Sequence, residues 1–193
     1  VINIQTYLGI KNLDTYFEEL FNPEIFFVNI DENSSKEVLN RMLTRNKGIG
    51  LNGVICIQIN GIDVSTFIDW DDLDLMWTAL LTMVREYIED GKYGETQMFT
   101  NGLEWSINKI KSSPNDLILF KVFRNNALFD LRSDLPVSKE TGVSYDEIGF
   151  LNAVVIAGEK YIEFRDEDTR SHNLIEAKRL LKELKCEIKK TTF

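Results

Sequence analysis

Apolar positions along the chain follow a helical period first, a strand period next, and a helical period again at the end. A short helix is expected over Leu13–Phe21, stopped by Asn22 and Pro23, and EIFFVNI (24–30) reads as a strand. In SSKEVLNRMLTRNK, Val38, Leu39, Met42 and Leu43 recur on one helical face behind a Ser34 or Ser35 cap. VICIQIN (54–60) is rich in β-branched residues and predicts a strand. The strongest element is IDWDDLDLMWTALLTMVREYIEDG. There Trp70, Leu73, Trp77, Leu80, Leu81, Val84 and Ile88 fall on one arc of a helix of about five turns. Asp69 is expected to cap it, Asp71 and Asp72 to complement its positive first turn, and Gly91 to end it.

After Gly91 the period shortens. ETQMF, LEWSINKI, LILFKVFRN and ALFDLRSD are short, apolar and partly alternating. They are separated at Asn101-Gly102, at Ser112 to Asn115, and at Asn125-Asn126, all sequences that favour tight turns. Short connections in succession imply an antiparallel meander, because a parallel return needs a long crossover. In LILFKVFRN one face carries Leu117, Leu119, Lys121 and Phe123, the other Ile118, Phe120, Val122 and Arg124, so a central strand packed on both sides is expected. VSYDEIGFLNAVVIAGEKYIEF opens with Ser144-x-x-Glu147, a capping-box pattern that favours helix. Its second half also fits a hairpin turning at Gly158, Glu159 and Lys160. The last segment repeats Leu174, Ala177, Leu181, Leu184 and Ile188 at helical spacing. The expected architecture is a single α+β domain over residues 1–193, an antiparallel β-meander sheet covered by amphipathic helices.

Composition adds partner preferences to this picture. With 44% apolar residues and 12 Phe, the chain holds ample core material. Its formal charge of −9 repels phosphate backbones, so nucleic acid is disfavoured and a basic protein is the natural complement. Cys56 and Cys186 are the only cysteines and read as idle thiols of a reducing compartment. VINIQTYLGI lacks the basic and apolar regions of a signal peptide, and no apolar run approaches the ~20 residues of a membrane span. A cytoplasmic location without membrane attachment is expected.

Candidate chemistry is sparse. Gly48-Ile49-Gly50-Leu51-Asn52-Gly53 matches G-x-G-x-x-G, but dinucleotide binding needs a strand before the glycines and a helix after them. Here the helix comes first, so Gly48 suits a helix C-cap and no cofactor is expected. His172 is the only histidine, and neither cysteine has a nucleophile signature. Asp63, Asp69, Asp71, Asp72 and Asp74 are the one cluster able to hold a divalent cation, and a metal-dependent hydrolase built on them is the alternative reading. Asp71 and Asp72 diverge around a helix, however, and helix N-terminal electrostatics account for them without a metal. From Asp63 to Glu95 nine acids stand against Arg85 and Lys92. Asp71, Asp72, Glu86 and Glu89 border Leu75, Ala79 and Thr82, a pattern suited to docking a basic partner with an apolar centre. The partner-binding residues expected from the sequence are therefore Asp71, Asp72, Leu75, Glu86 and Glu89.

The Trp-led helix DWDDLDLMWTALLTMVREYIEDG, the Leu103-Glu104-Trp105 strand that follows it and the closing helices resemble the layout of small immunity proteins encoded beside bacterial polymorphic toxins. The likeness spans residues 60–190 and rests on generic motifs. It implies a non-catalytic, cytoplasmic protein that neutralises a basic toxin domain through an acidic surface. A regulatory or scaffold domain with a protein ligand fits the same residues.

Overall fold

Two antiparallel sheets and five helices make up the computed structural model, which describes residues 1–10, 22–46, 50–98, 102–110, 116–125, 137–165 and 171–191. The first sheet is built on β1 (Ile2–Gly9), which pairs with β3 (Asn52–Ile59) from Ile2↔Ile59 to Leu8↔Gly53. On its other side β1 pairs with the short β2 (Phe27–Asn29). The strand expected over 24–30 is thus confined to its second half, because Pro23 starts a helical turn, α1 (Pro23–Phe26). β4 (Ile62–Ser65) returns along β3 through Asn60-Gly61, whose φ angles of 52° and 82° give the left-handed pair that a two-residue hairpin requires. β5 (Asp71–Asp72) adds to the opposite end of β3, giving the order β2-β1-β3-β4 with β5 on β3.

The second sheet is a meander, as expected, but its fourth strand is Glu140–Asp146, a segment for which no strand was expected. β6 (Tyr93–Met98), β7 (Leu103–Ile110), β8 (Leu117–Arg124) and β9 (Glu140–Asp146) lie side by side in chain order, all antiparallel. The fold class is α+β, as the sequence predicts. β8 is an interior strand with Ile118, Phe120, Val122 and Arg124 buried, but its other face is only half-covered, less than the apolar pattern predicts. The two sheets approach each other along β4 and β9.

α2 (Ser35–Asn46) begins where expected, and its Ser35 hydroxyl donates to the Ile30 and Glu32 carbonyls. α3 (Leu73–Asp90) begins later than expected. Asp72, not Asp69, is the N-cap, accepting the Leu75 N–H at 2.9 Å, and Gly91 ends the helix in the left-handed conformation as expected. The delay has a plain cause: Asp71 and Asp72 pair as strand with Gly53 and Asn52, and the Leu73 N–H donates to the Leu51 carbonyl. α4 (Glu147–Arg165) is a helix throughout, so the hairpin alternative does not occur. Ser144 belongs to β9, and the Asp146 carboxylate instead accepts the Gly149 N–H at 2.7 Å. α5 (His172–Thr191) closes the described chain.

α3 buries Met76, Ala79 and Met83 besides Leu73, Trp77, Leu80, Leu81 and Val84 of the expected stripe, whereas Trp70 precedes the helix and it and Ile88 are only half-buried. Sheet strands take one side of it and α5 another: the Thr78 hydroxyl donates to the Asn173 carbonyl at 2.8 Å. α4 is apolar around most of its circumference and packs on β1, β9 and α5. Phe120 meets Phe150 at 5.1 Å between ring centroids, and Trp77 stacks on Tyr161 at 5.7 Å, so the buried apolar residues join in one cluster. Among the described residues no helix is long and apolar enough to cross a membrane. The helix expected over 13–21, the Gly48 cap, the break from Ser112 to Asn115 and the strand over 127–134 lie outside the described residues.

Candidate binding cleft along the sheet seam

The residues expected to dock a partner are not brought together as one surface. Asp71 is only 3% exposed, and its carboxylate accepts the Asp72 N–H at 2.7 Å. Asp72 is committed to capping α3, and burial pushes its carboxyl above the ordinary range. Leu75 and Glu86 are half-buried, and Glu89 is exposed and paired with Arg85. Ala79, placed between them by the sequence pattern, is buried. The acidic helix face therefore shrinks to Glu86 and Glu89, because β5 and the N-cap absorb the two aspartates.

The remaining aspartates of the candidate metal cluster are also dispersed. Asp63 accepts from the Gln58 amide at 2.8 Å. Asp69 accepts from Arg124 Nε at 2.7 Å and Nη2 at 2.6 Å. Asp74 accepts from Tyr161 at 2.5 Å and from Arg165 at 2.9 Å. Cation-gathering geometry of three or more His, Cys, Asp or Glu side chains is not found among the described residues. Gly50 and Gly53 of the G-x-G-x-x-G motif serve packing. A Cβ on Gly53 would stand 2.2 Å from the Tyr7 carbonyl oxygen, and one on Gly50 1.5 Å from Asp72 Oδ2.

A cleft of about 730 Å³ opens elsewhere, on the outer face of the first sheet where it meets the 137–141 segment. Strand alternation explains its lining. The Ile4, Thr6 and Leu8 face of β1 turns inward, so Asn3, Gln5 and Tyr7 turn outward, opposite Gln58, Cys56 and Val54 of β3. Asp63 and Ser65 come from β4, Phe67 from the loop after it, and Ser138 and Thr141 from the far wall. Tyr7 lies edge-on to Phe67 at 4.9 Å, Phe67 contacts Phe27 at 5.2 Å, and the Tyr7 hydroxyl donates to Gln5 Oε1 at 2.9 Å. The lining therefore combines neutral amides, hydroxyls, two aromatic rings and one carboxylate with the apolar Pro23, Ile57, Ile62 and Val137.

Arg124 holds the two walls together. Beyond its bidentate pair with Asp69, it donates from Nη1 to the Ser138 carbonyl at 2.7 Å and from Nη2 to the Val64 carbonyl at 3.0 Å. Asp69 in turn accepts the Thr66 N–H at 2.8 Å. Arg124 and Asp69 are each 2% exposed in the side chain, so this clamp works in a medium where charge-assisted hydrogen bonds are strong.

Cys56 sits against this cleft. Burial first, and then the charges of Asp69 and Asp63, push its thiol well above the ordinary range. The protonated thiol is a poor nucleophile. With a thiol-reactive chromogenic reagent near pH 8, exposed Cys186 is expected to react at once and Cys56 only after unfolding. Rapid reaction of a folded Cys186→Ser variant would show an ionised cleft thiol instead.

The signals for this cleft are present in the sequence but modest. Ile2, Ile4, Thr6 and Leu8 alternate with Asn3, Gln5 and Tyr7, and Asn60-Gly61 announces the hairpin into β4. Comparison with protein-family models, with curated proteins and with solved structures gave no match for this chain.

Proposed function

We propose that this is a non-catalytic protein-binding protein of the immunity type, which neutralises a basic toxin domain by receiving one of its loops in the seam cleft. The observation that carries this reading is the cleft's lining. Tyr7 and Phe67 offer rigid aromatic area, while Asn3, Gln5, Gln58 and Ser138 offer adaptable hydrogen bonding, the mixture that antibody paratopes use for protein surfaces. The charge of −9 complements a basic partner and speeds encounter at a distance, whichever carboxylates carry it. Glu86 and Glu89 remain able to steer; Asp71 and Asp72, held inside, act only through the overall field.

The test identifies the reading frames beside this gene and co-expresses a toxin domain found there with the chain in a growth assay; absence of any such toxin would count against the reading. Wild-type chain is expected to restore growth, and Tyr7→Ala combined with Gln58→Ala to lose protection, with binding weakened at least about 100-fold by the loss of a central aromatic anchor and its amide neighbour. Glu86→Lys with Glu89→Lys is expected to slow association and flatten its salt dependence while leaving the dissociation rate nearly unchanged. A complex of undiminished affinity with the cleft variant, checked as folded by circular dichroism, would remove the cleft from the interface.

A further inference from the structure

We infer a second docking site, a lysine-walled groove between α4 and α5 that takes an acidic polypeptide segment. The groove has a volume of about 320 Å³ and shares no lining residue with the seam cleft. Lys178, Lys182, Lys185 and Lys189 form one wall, Glu159 and Ile162 lie across from them, and Leu181 and Cys186 complete the lining. At 100° per residue the four lysines fall within an arc of about 60° on α5.

This concentration of positive charge stands out on a chain of net charge −9. α5 carries six cations and three carboxylates, and those carboxylates are engaged away from the groove. Arg179 holds Glu176 and Glu183, and Lys190 holds Glu187. Helix-stabilising pairs one turn apart thus occupy the outer face, while among the groove's lining residues the lysine stripe faces one carboxylate, Glu159, which pairs with Lys185. Lys182 and Lys189 are exposed along the wall.

The shape and the charge select the occupant together. An extended polyanion or a flat anionic membrane meets the acidic remainder of the protein as well as the stripe. A short acidic segment confined to the groove stays within about a Debye length, roughly 8–10 Å, of the lysines. The Ile162 and Leu181 surface and the lysine stems favour an apolar side chain between the carboxylates. The expected ligand is a segment with glutamates or aspartates one helical turn apart around a leucine-like residue.

The experiment measures fluorescence anisotropy of a labelled helical peptide with glutamates at that spacing around a central leucine, titrated with the full chain. The glutamine counterpart, vesicles containing phosphatidylserine and single-stranded DNA serve as alternatives. Binding of the glutamate peptide is expected, with loss of at least about tenfold for the glutamine peptide and for Lys182→Glu with Lys189→Glu, and no change for Tyr7→Ala. The Lys→Gln pair should give an intermediate loss. Absence of peptide binding, equal binding by the charge-reversed variant, or tighter binding of vesicles or DNA would overturn the proposal.

Discussion

Arg124→Met is expected to lower the unfolding free energy by about 3–5 kcal/mol, the cost of leaving a buried partner charge without its ion pair. The isolated group would be Asp69, 3% exposed as a residue, which would keep the Thr66 N–H but lose both guanidinium contacts. The Ser138 and Val64 carbonyls would lose a donor at the same time. Combining Arg124→Met with Asp69→Leu should recover most of the loss, because a buried pair replaced as a unit by apolar groups is often nearly neutral. Urea unfolding of the wild type, both single variants and the double variant gives the comparison. A cost below about 1 kcal/mol for Arg124→Met would mean that water reaches this pair in solution. The same substitution has a functional reading. Arg124 ties β8 to both walls of the seam, so hydrogen exchange at residues 64–66 and 138–141 should quicken even in the stable double variant. If the seam cleft binds a protein loop, the double variant should bind more weakly despite its restored stability, since a looser cleft must be ordered on binding.

The elements legible in the sequence are those with a long, one-sided pattern. α2, α3 and α5 repeat apolar residues over three or more turns, and β7 and β8 adjoin strong turn sequences. What escapes is short or shared. β4 has four residues and β5 has two, too few to establish a period. Asp71 and Asp72 suit a helix N-terminus and a strand end equally well, and only pairing with Gly53 and Asn52 decides between them. Ser144 satisfies a capping-box pattern while its backbone belongs to β9, where pairing with Leu119 overrides local preference. The cleft is assembled from β1, β3, β4 and the 137–141 segment, so missing β1 and β4 hides it. One clue was available at its base: Arg124 shares a strand face with Ile118, Phe120 and Val122, and a cation on an apolar face calls for a buried carboxylate. The choice of Asp69 among the neighbouring aspartates required the tertiary fold.

Asp74→Ala should be comparably damaging, at about 3–5 kcal/mol, and its chemistry separates it from the Arg124 clamp. Asp74 lies in the first turn of α3, 4% exposed, and joins it to the end of α4: Oδ1 accepts from the Tyr161 hydroxyl at 2.5 Å and from Arg165 Nε at 3.2 Å, while Oδ2 accepts from Arg165 Nη2 at 2.9 Å. Removing the carboxylate deprives a buried guanidinium of its counter-charge and a buried phenol of its acceptor together. Tyr161→Phe removes only the neutral donor and should cost about 1–2 kcal/mol. It should also change the alkaline limb of the stability curve. Burial first, and then the Asp74 charge, push the Tyr161 phenol well above its ordinary 10.0 in the native state. Between that value and the native one, the folded protein holds a proton that the unfolded chain releases, so stability falls as pH rises above about 10. The phenylalanine variant lacks this contribution, and its deficit relative to the wild type should therefore narrow as pH increases from 8 to about 11. Denaturant unfolding of both proteins at each pH measures the difference directly, and because Tyr7, Tyr87 and Tyr93 are common to both, their own titrations cancel. A deficit that stays constant across that range would place the Tyr161 hydroxyl in contact with water, and the α3–α4 junction would then be open where the buried Asp74 network has it closed.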